Sequence, residues 1–251
     1  MEVINIDKDS KIVISTQSKD IKININKCKA IITDISNSNK EIVINDGELD
    51  YCFIKKGCCD LDYSLNVNNG SCVLNVIDLE SNSSKNNYTI QANNIYDEVE
   101  LNIASVSNSN VIKEYYIGTK NNVSDTHVKV DCFGIVEDTS KLKYDITSFI
   151  KNGAKRSVVN QNSKILLFDK ESIGINNPVL EIEENDVKAN HGSSIGMIDE
   201  ETLFYLTSRG IKESVARSLV SMGKINYMIE KIKDEDIKKE LLERVWKDER
   251  L

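Results

Sequence analysis

The sequence predicts a mainly β body closed by a small helical domain, and three observations carry that prediction. Short apolar-polar alternations recur from Glu2 to about Lys188, clusters of Asn, Ser and Gly separate them, and the apolar spacing changes to three- and four-residue steps near the C-terminus. The alternating runs are KIVIST, IKININ, AIITDIS, EIVIND, YSLNV, CVLNVIDLE, YTIQAN, VELNIAS, YYIGT, HVKVDCFGIVE, KILLFD and VLEIEE. Period two over five or six residues marks a strand with one buried side. Stretches such as NVNNGS, ESNSSKNN and SVSNSN separate them as turns, and DGELDYC and NNGSC have the same turn character. Strands therefore return about every ten to twelve residues with no helix between them, which suits a sandwich, a barrel or a solenoid. A solenoid is favoured, because coils of roughly 20 residues stacked about 4.8 Å apart would align the strand-end Asn and Ser residues into hydrogen-bonded columns.

Lys188 to Ser194, KANHGSS, is expected to be a flexible Gly/Ser hinge between a β body of residues 1–190 and a helical domain of residues 191–251. Asp199 is a good N-cap for EETLFYLTSR, since its carboxylate can accept the free amides of the first turn, and Gly210 is the matching stop. From Ile211, the residues Val215, Leu219, Met222, Ile225, Ile229 and Ile232 predict a second helix with a bend at Gly223. Asp234 then opens a third, with Ile237, Leu241, Leu242, Val245 and Trp246 on one face.

Composition narrows the function classes. In 251 residues, 40% are hydrophobic but only 6% aromatic, so the core is built from Ile, Val and Leu, as stacked sheets require. A net charge of -8 with no Lys/Arg stripe argues against a nucleic-acid partner. No apolar run is long enough to span a membrane, and MEVINIDKDSKIVIST lacks the pattern of a signal peptide, so a cytoplasmic location is expected. In that reducing compartment Cys28, Cys52, Cys58, Cys59, Cys72 and Cys132 are expected to remain thiols, and their spacing fits no zinc template. Cys52, Cys72 and Cys132 lie in or beside apolar runs as core residues, whereas adjacent Cys58 and Cys59 would point to opposite faces of a strand.

The chemistry-bearing candidates are few. His191 sits among Gly192, Ser193 and Ser194, small neighbours that let a metal or a partner surface approach, although a lone histidine is also a common hydrogen-bonded structural group. His127 lies mid-strand in SDTHVKV. There is no P-loop, GxSxG, HExxH or dinucleotide fingerprint, so binding or scaffolding is a better class than hydrolysis. A structural or carbohydrate-binding β-solenoid is the alternative, and aromatic platforms would favour it; the chain has one Trp and five Phe.

The run NDVKANHGSSIGMIDEETLFYLTSRGI resembles the C-terminal signature of the SufB/SufD family, scaffold proteins of the SUF iron-sulfur cluster assembly system. The likeness rests on the Val-Lys pair, His191-Gly192, Gly196, Asp199-Glu200, Leu203 to Leu206, and Ser208-Arg209-Gly210-Ile211, and it extends upstream to about Arg156. It implies a right-handed parallel β-helix followed by a helical C-terminal domain. It also implies two partners: a SufC-like ABC ATPase docked on the helices, and a second SufB or SufD subunit, the same or distinct, on the β-helix. ATP would then be hydrolysed by the partner and this chain would be a non-enzymatic scaffold carrying a transient iron-sulfur cluster. His191 matches a family histidine near the scaffold interface, making it a candidate cluster ligand. The family's ligand cysteine is missing from FDKESIG, where Glu171 is the nearest candidate donor, and Ala189 replaces a second family cysteine. Asp199, Glu200, Leu203, Phe204, Tyr205, Arg209 and Gly210 are the residues expected to meet the ATPase.

Overall fold

The computed structural model describes residues 1–247 apart from 17 and 58, and the side chains of these residues except 222, 224 and 244–247. The expectations for Cys58 and for the side chains of Met222, Val245 and Trp246 lie outside the described residues.

The chain winds as a parallel β-helix with two walls. The front wall comprises β1 (Glu2–Ile6), β3 (Asp20–Asn26), the first halves of β5 (Asn39–Ile54) and β6 (Leu61–Asp78), then β7 (Ser84–Ala92), β9 (Ile112–Asn121), β11 (Lys141–Ile150) and β13 (Ile173–Ile182). The back wall comprises β2 (Ser10–Ile14), β4 (Lys29–Asp34), the second halves of β5 and β6, then β8 (Glu98–Ser107), β10 (His127–Val136), β12 (Val158–Leu167) and β14 (Lys188–Met197). Every neighbouring pair is parallel and in register. Glu2 lies beside Ile21 and Lys141 beside Ile173, so one circuit lengthens from 19 residues to 32 along the axis.

Alternation sets what lies inside. Ile23, Ile42, Leu65 and Ile90 form one inward column of the front wall, and Tyr51, Leu74, Leu101 and Val130 one of the back wall. Aromatic rings join the stack, with Tyr63 and Tyr88 5.1 Å apart and nearly parallel. Cys28, Cys72 and Cys132 fill this core as small apolar residues. Two buried ion centres interrupt it. Asp34 pairs with Lys40 at 2.9 Å and accepts from Tyr51; Asp78 pairs with Lys113 at 2.6 Å and accepts from Tyr115 at 2.6 Å. Burial opposes the charge on Asp78, but Lys113 and Lys55 hold its carboxyl below the usual range.

The corner between the walls repeats one backbone device. Lys27, Asp46, Asn69, Tyr96, Asp125 and Arg156 all have φ between 54° and 67°, the left-handed region that turns the chain sharply. Beside them runs a column of amides: Asn26 donates to Asp7, Asn45 to Asn26, Asn68 to Asn45, Asn93 to Asn68 and Asn122 to Asn93, at 2.7–3.1 Å. The stacked amides expected from the sequence are present. DGELDYC and NNGSC do contain corners, at Asp46 and Asn69, yet strand pairing resumes at once on either side, so β5 and β6 pass through both walls. Gly70 follows one corner, where an added Cβ would lie 2.1 Å from the Gly47 carbonyl oxygen of the coil below.

Three helices follow: α1 (Glu200–Ser208), α2 (Glu213–Ile229) and α3 (Glu235–Lys247). Asp199 caps α1 as expected, and Gly210, at φ +86°, ends it with the Gly210 and Ile211 amides bonding back to Thr207 and Leu206. Gly223 lies within one continuous α2. The helices cover the outer side of the back wall, where Ile225, Met228, Ile229, Ile232 and Leu241 form a second core with Cys52, Ile54, Ile77, Ala104, Phe133 and Ile135. Lys231 fixes the cover by reaching Glu100, Asn102 and Asp131 at 3.1, 2.6 and 2.8 Å, and Asp234 pairs with Lys11 of the first coil at 2.8 Å.

Two substitutions test this stacking. Gly70→Ala should destabilise the chain by about 3 kcal/mol or more, since backbone rather than a flexible side chain must yield; Gly118→Ala, 3.9 Å from its nearest atom, should leave the melting midpoint unchanged or raised. Asp78→Asn, which strips the buried Lys113 of its counter-charge, should cost about 3–5 kcal/mol in denaturant unfolding.

Candidate functional site: the open end of the β-helix

The last circuit has no coil above it. Its inward-facing residues continue the columns of the interior, so groups that would be core elsewhere are laid open. On β14, Ala189 packs partly against the core, and two residues on, along the same side, lies His191. His191 is in register with Gln161, itself 3% exposed. Ile182, Ile195 and Met197 are 43–49% exposed at the same end. KANHGSS, expected as a hinge, is thus the start of the final strand rather than a linker. An edge strand with one wall uncovered shows no burial alternation, and its Gly and Ser residues read as a loop.

The two candidate cluster ligands do not converge. Glu171 is exposed in the connection after β12, four residues beyond Leu167, which is in register with Met197. His191 lies six residues back along β14, a separation of about 20 Å at the rise of a strand. His127 begins β10, half-exposed, with Nδ1 3.8 Å from a Glu98 carboxylate oxygen. Among the described residues no three His, Cys, Asp or Glu side chains gather in a metal-binding cluster. Cys52, Cys72 and Cys132 are buried, and desolvation pushes each thiol upward, which disfavours the thiolate that binds metal.

The interior just beneath the open end is polar. Asn176 of β13 donates to the Ser163 and Ser194 carbonyls at 3.3 and 3.2 Å, tying the two walls together. Gln161 Nε2 donates to Ser148 Oγ at 2.7 Å and to the Val179 carbonyl at 3.0 Å. None of these groups is among the sequence-predicted candidates. Their signal was present in VVNQNSKILL, where Gln161 and Ser163 occupy inward positions between Val159 and Ile165.

Beside this end stands α1. The Asp199 side chain accepts from the amides of Glu201 at 3.2 Å and Thr202 at 3.1 Å, and from the Thr202 hydroxyl. The hydroxyl bond chiefly, and then the two amides, hold the Asp199 carboxyl below the usual carboxylate range. Glu200 follows in the first turn, complementing the helix dipole. Leu203 turns toward the second core, while Phe204 and Tyr205 stand 73% and 57% exposed. The Arg209 guanidinium lies 5.1 Å from the Tyr205 ring centre. The seven residues expected to meet a partner therefore comprise a helix start, a helix stop, one exposed aromatic-cationic patch between them, and Leu203, which packs against the second core instead.

A two-walled parallel β-helix with helices over its back wall and its last coil exposed defines a protein of the β-solenoid class. The comparisons with known proteins narrow this. The family model for the SUF system FeS cluster assembly SufBD core domain matches residues 62–224, and the chain belongs to that family. Curated relatives include the iron-sulfur cluster assembly protein SufD of Bacillus subtilis (strain 168), 33% identical over 109 residues that make up 43% of this chain and 25% of that protein. SufD of Escherichia coli (strain K12) is 40% identical over 68 residues, 27% of this chain and 16% of that one. A SufBD family protein of Mycobacterium tuberculosis (strain ATCC 25618 / H37Rv) is 46% identical over 65 residues, 26% and 16% of the two chains. The matched stretches thus span a quarter or less of these relatives. No described helix is long and apolar enough to cross a membrane.

The depressed Asp199 carboxyl makes the start of α1 pH-sensitive. Its stabilising contribution is complete above the ordinary aspartate value and is lost as pH falls through the lower folded value. Amide exchange at Glu201 and Thr202, corrected for the intrinsic pH dependence, should therefore accelerate several-fold on acidification below about pH 4. Asp199→Ala should show the faster exchange already at neutral pH.

Proposed function

We propose that this chain is a scaffold subunit in SUF-type iron-sulfur cluster assembly, non-enzymatic itself and working with a SufC-like ABC ATPase. The observation that carries the reading is the open last coil, with His191 in line with the interior column, in a chain that belongs to the SufBD family. Uncovered apolar residues and unpaired strand edges at one end favour a second subunit there, of the same or a related kind. His191 would then lie at the joint between two subunits. A neutral imidazole is a good ligand for iron, and the scarcity of other donors nearby is the reason a second chain would have to complete the set. The cluster is cargo, assembled at the joint and passed on.

The exposed Phe204–Tyr205–Arg209 patch supports the ATPase partnership. Two large rings and a guanidinium on a well-capped helix are the residue types that anchor interfaces. ATP would be bound and split by that partner, and docking on α1, next to the open end, would let its motion reach the joint.

Co-expression with the host's ABC-type SUF ATPase, anaerobic purification, and iron and sulfide analysis test the proposal. A stable complex that takes up iron and sulfide is expected. His191→Ala should lower its iron content by at least about half, with the fold retained and only a small change in melting midpoint, because an exposed end residue carries little packing. A parallel loss of stability would mark the imidazole as structural. Phe204→Ala combined with Tyr205→Ala should abolish co-purification of the ATPase with stability unaltered, since both rings are exposed; undiminished co-purification would remove this patch from the interface.

A further inference from the structure

Three buried oxygens in the last two circuits have no partner: Gln161 Oε1, Ser163 Oγ and Asn176 Oδ1. Gln161 is the most constrained. Its Nε2 donates both protons, to Ser148 Oγ and to the Val179 carbonyl, and Ser148 Oγ is held by Thr119 Oγ1 at 2.7 Å. Turning the amide over would face its carbonyl to that of Val179, so the chain itself assigns which end is oxygen. Oε1 must then point away from the Ser148 side, and an amide oxygen shut from water without a donor carries its full desolvation penalty.

The residue in register with Gln161 on the next strand is His191. Parallel neighbours lie about 4.8 Å apart, and period-two alternation sends both side chains inward. One position earlier, the registered pair Asn190 and Asn160 already joins across this step, at 3.2 Å. An imidazole has one N–H and one lone pair when neutral, and whichever nitrogen donates decides which one is left to bind.

We infer that Gln161 is the positioning residue of His191: its Oε1 accepts the N–H of one ring nitrogen, holds the imidazole in a single tautomer and turns the lone pair of the other out of the open end. The polar interior beneath the last coil thereby gains a purpose. Thr119, Ser148 and Gln161 form a brace drawn from two successive circuits, with Ser148 and Gln161 on facing walls of the same one, that sets an exposed ring. This rests on reading His191 as the ligand-bearing group, but the tautomer is a property of the chain alone and is measured separately.

The chain has two histidines, so a His127→Gln background labelled with nitrogen-15 histidine reports His191 alone. At about pH 9, above the ordinary imidazole range, the two ring-nitrogen shifts should be those of one tautomer. Gln161→Met, with an otherwise unchanged amide spectrum, should move them to the average of two, while Gln161→Glu, which keeps an acceptor oxygen, should retain the single form. Should Gln161→Met fail to fold, loss of the single tautomer in Gln161→Glu would overturn the inference, as would identical shifts in all three proteins. Ferrous iron binding to the same purified chains separates the two ideas. The expected result is about tenfold weaker binding in Gln161→Met and none dependent on the end in His191→Ala. Tautomer control by Gln161 without His191-dependent iron binding would keep the positioning role and defeat the ligand reading. His191-dependent binding with tautomer indifferent to Gln161 would do the reverse.

Discussion

Every circuit of this chain must return to a point directly over its own start, and that requirement organises the rest of the molecule. In the six middle circuits the turn from front wall to back wall is made by a residue in the left-handed region, at Lys27, Asp46, Asn69, Tyr96, Asp125 and Arg156. Because the corners superimpose, so do the strands that leave them, and side chains of like position fall into columns. Columns of Ile and Val exclude water, and a column of Asn at the rim satisfies its own amides from coil to coil. Gly47 and Gly70 show how tight the superposition is, since the space for a methyl group is taken by backbone. The buried Asp–Lys pairs are tolerable for the same reason: each charge meets a fixed partner and a tyrosine hydroxyl rather than a fluctuating interior.

Much of this was legible in the residues. Alternation located nearly all the strands, the Asn-rich strand ends announced a stacked axis, and Asp199, Gly210 and Asp234 marked helix boundaries that the structure retains. What escaped notice has physical causes. The repeat is hidden because the circuit grows from 19 to 32 residues, so no fixed period exists to find. β11 has a weak alternation signal, because KLKYDITSFI places Ser148 inside and Phe149 outside, where Lys120 lies 5.2 Å over its ring. KANHGSS reads as a hinge because apolar-polar alternation reflects burial, and the final strand has too little of it. Gln161 carries no signal of its own, since a lone inward amide is meaningful only once its register with His191 is known.

The helices complete the molecule on one side only. They cover the apolar part of the back wall and are held by Lys231 and Asp234 at points far apart along the axis, which ties early coils to late ones. α1 contributes no fully buried residue. It is held by its cap and by a partial contact, and its aromatic residues remain free for another surface. Holding the cover in place thus falls to the segment from α2 to α3, while α1 keeps its two large rings exposed.

The lengthening circuit also makes the solenoid a taper, and a taper has a direction. Parallel β-helices with equal coils carry a standing hazard of stacking head to tail into fibres, since any end then matches any other. Here a coil of 32 residues set against one of 19 would leave about two fifths of its length unmatched. Growth by that route is mismatched at the first step. A coil finds its full set of backbone partners only on a coil of like girth, so the gradual change in girth disfavours head-to-tail growth from the described circuits.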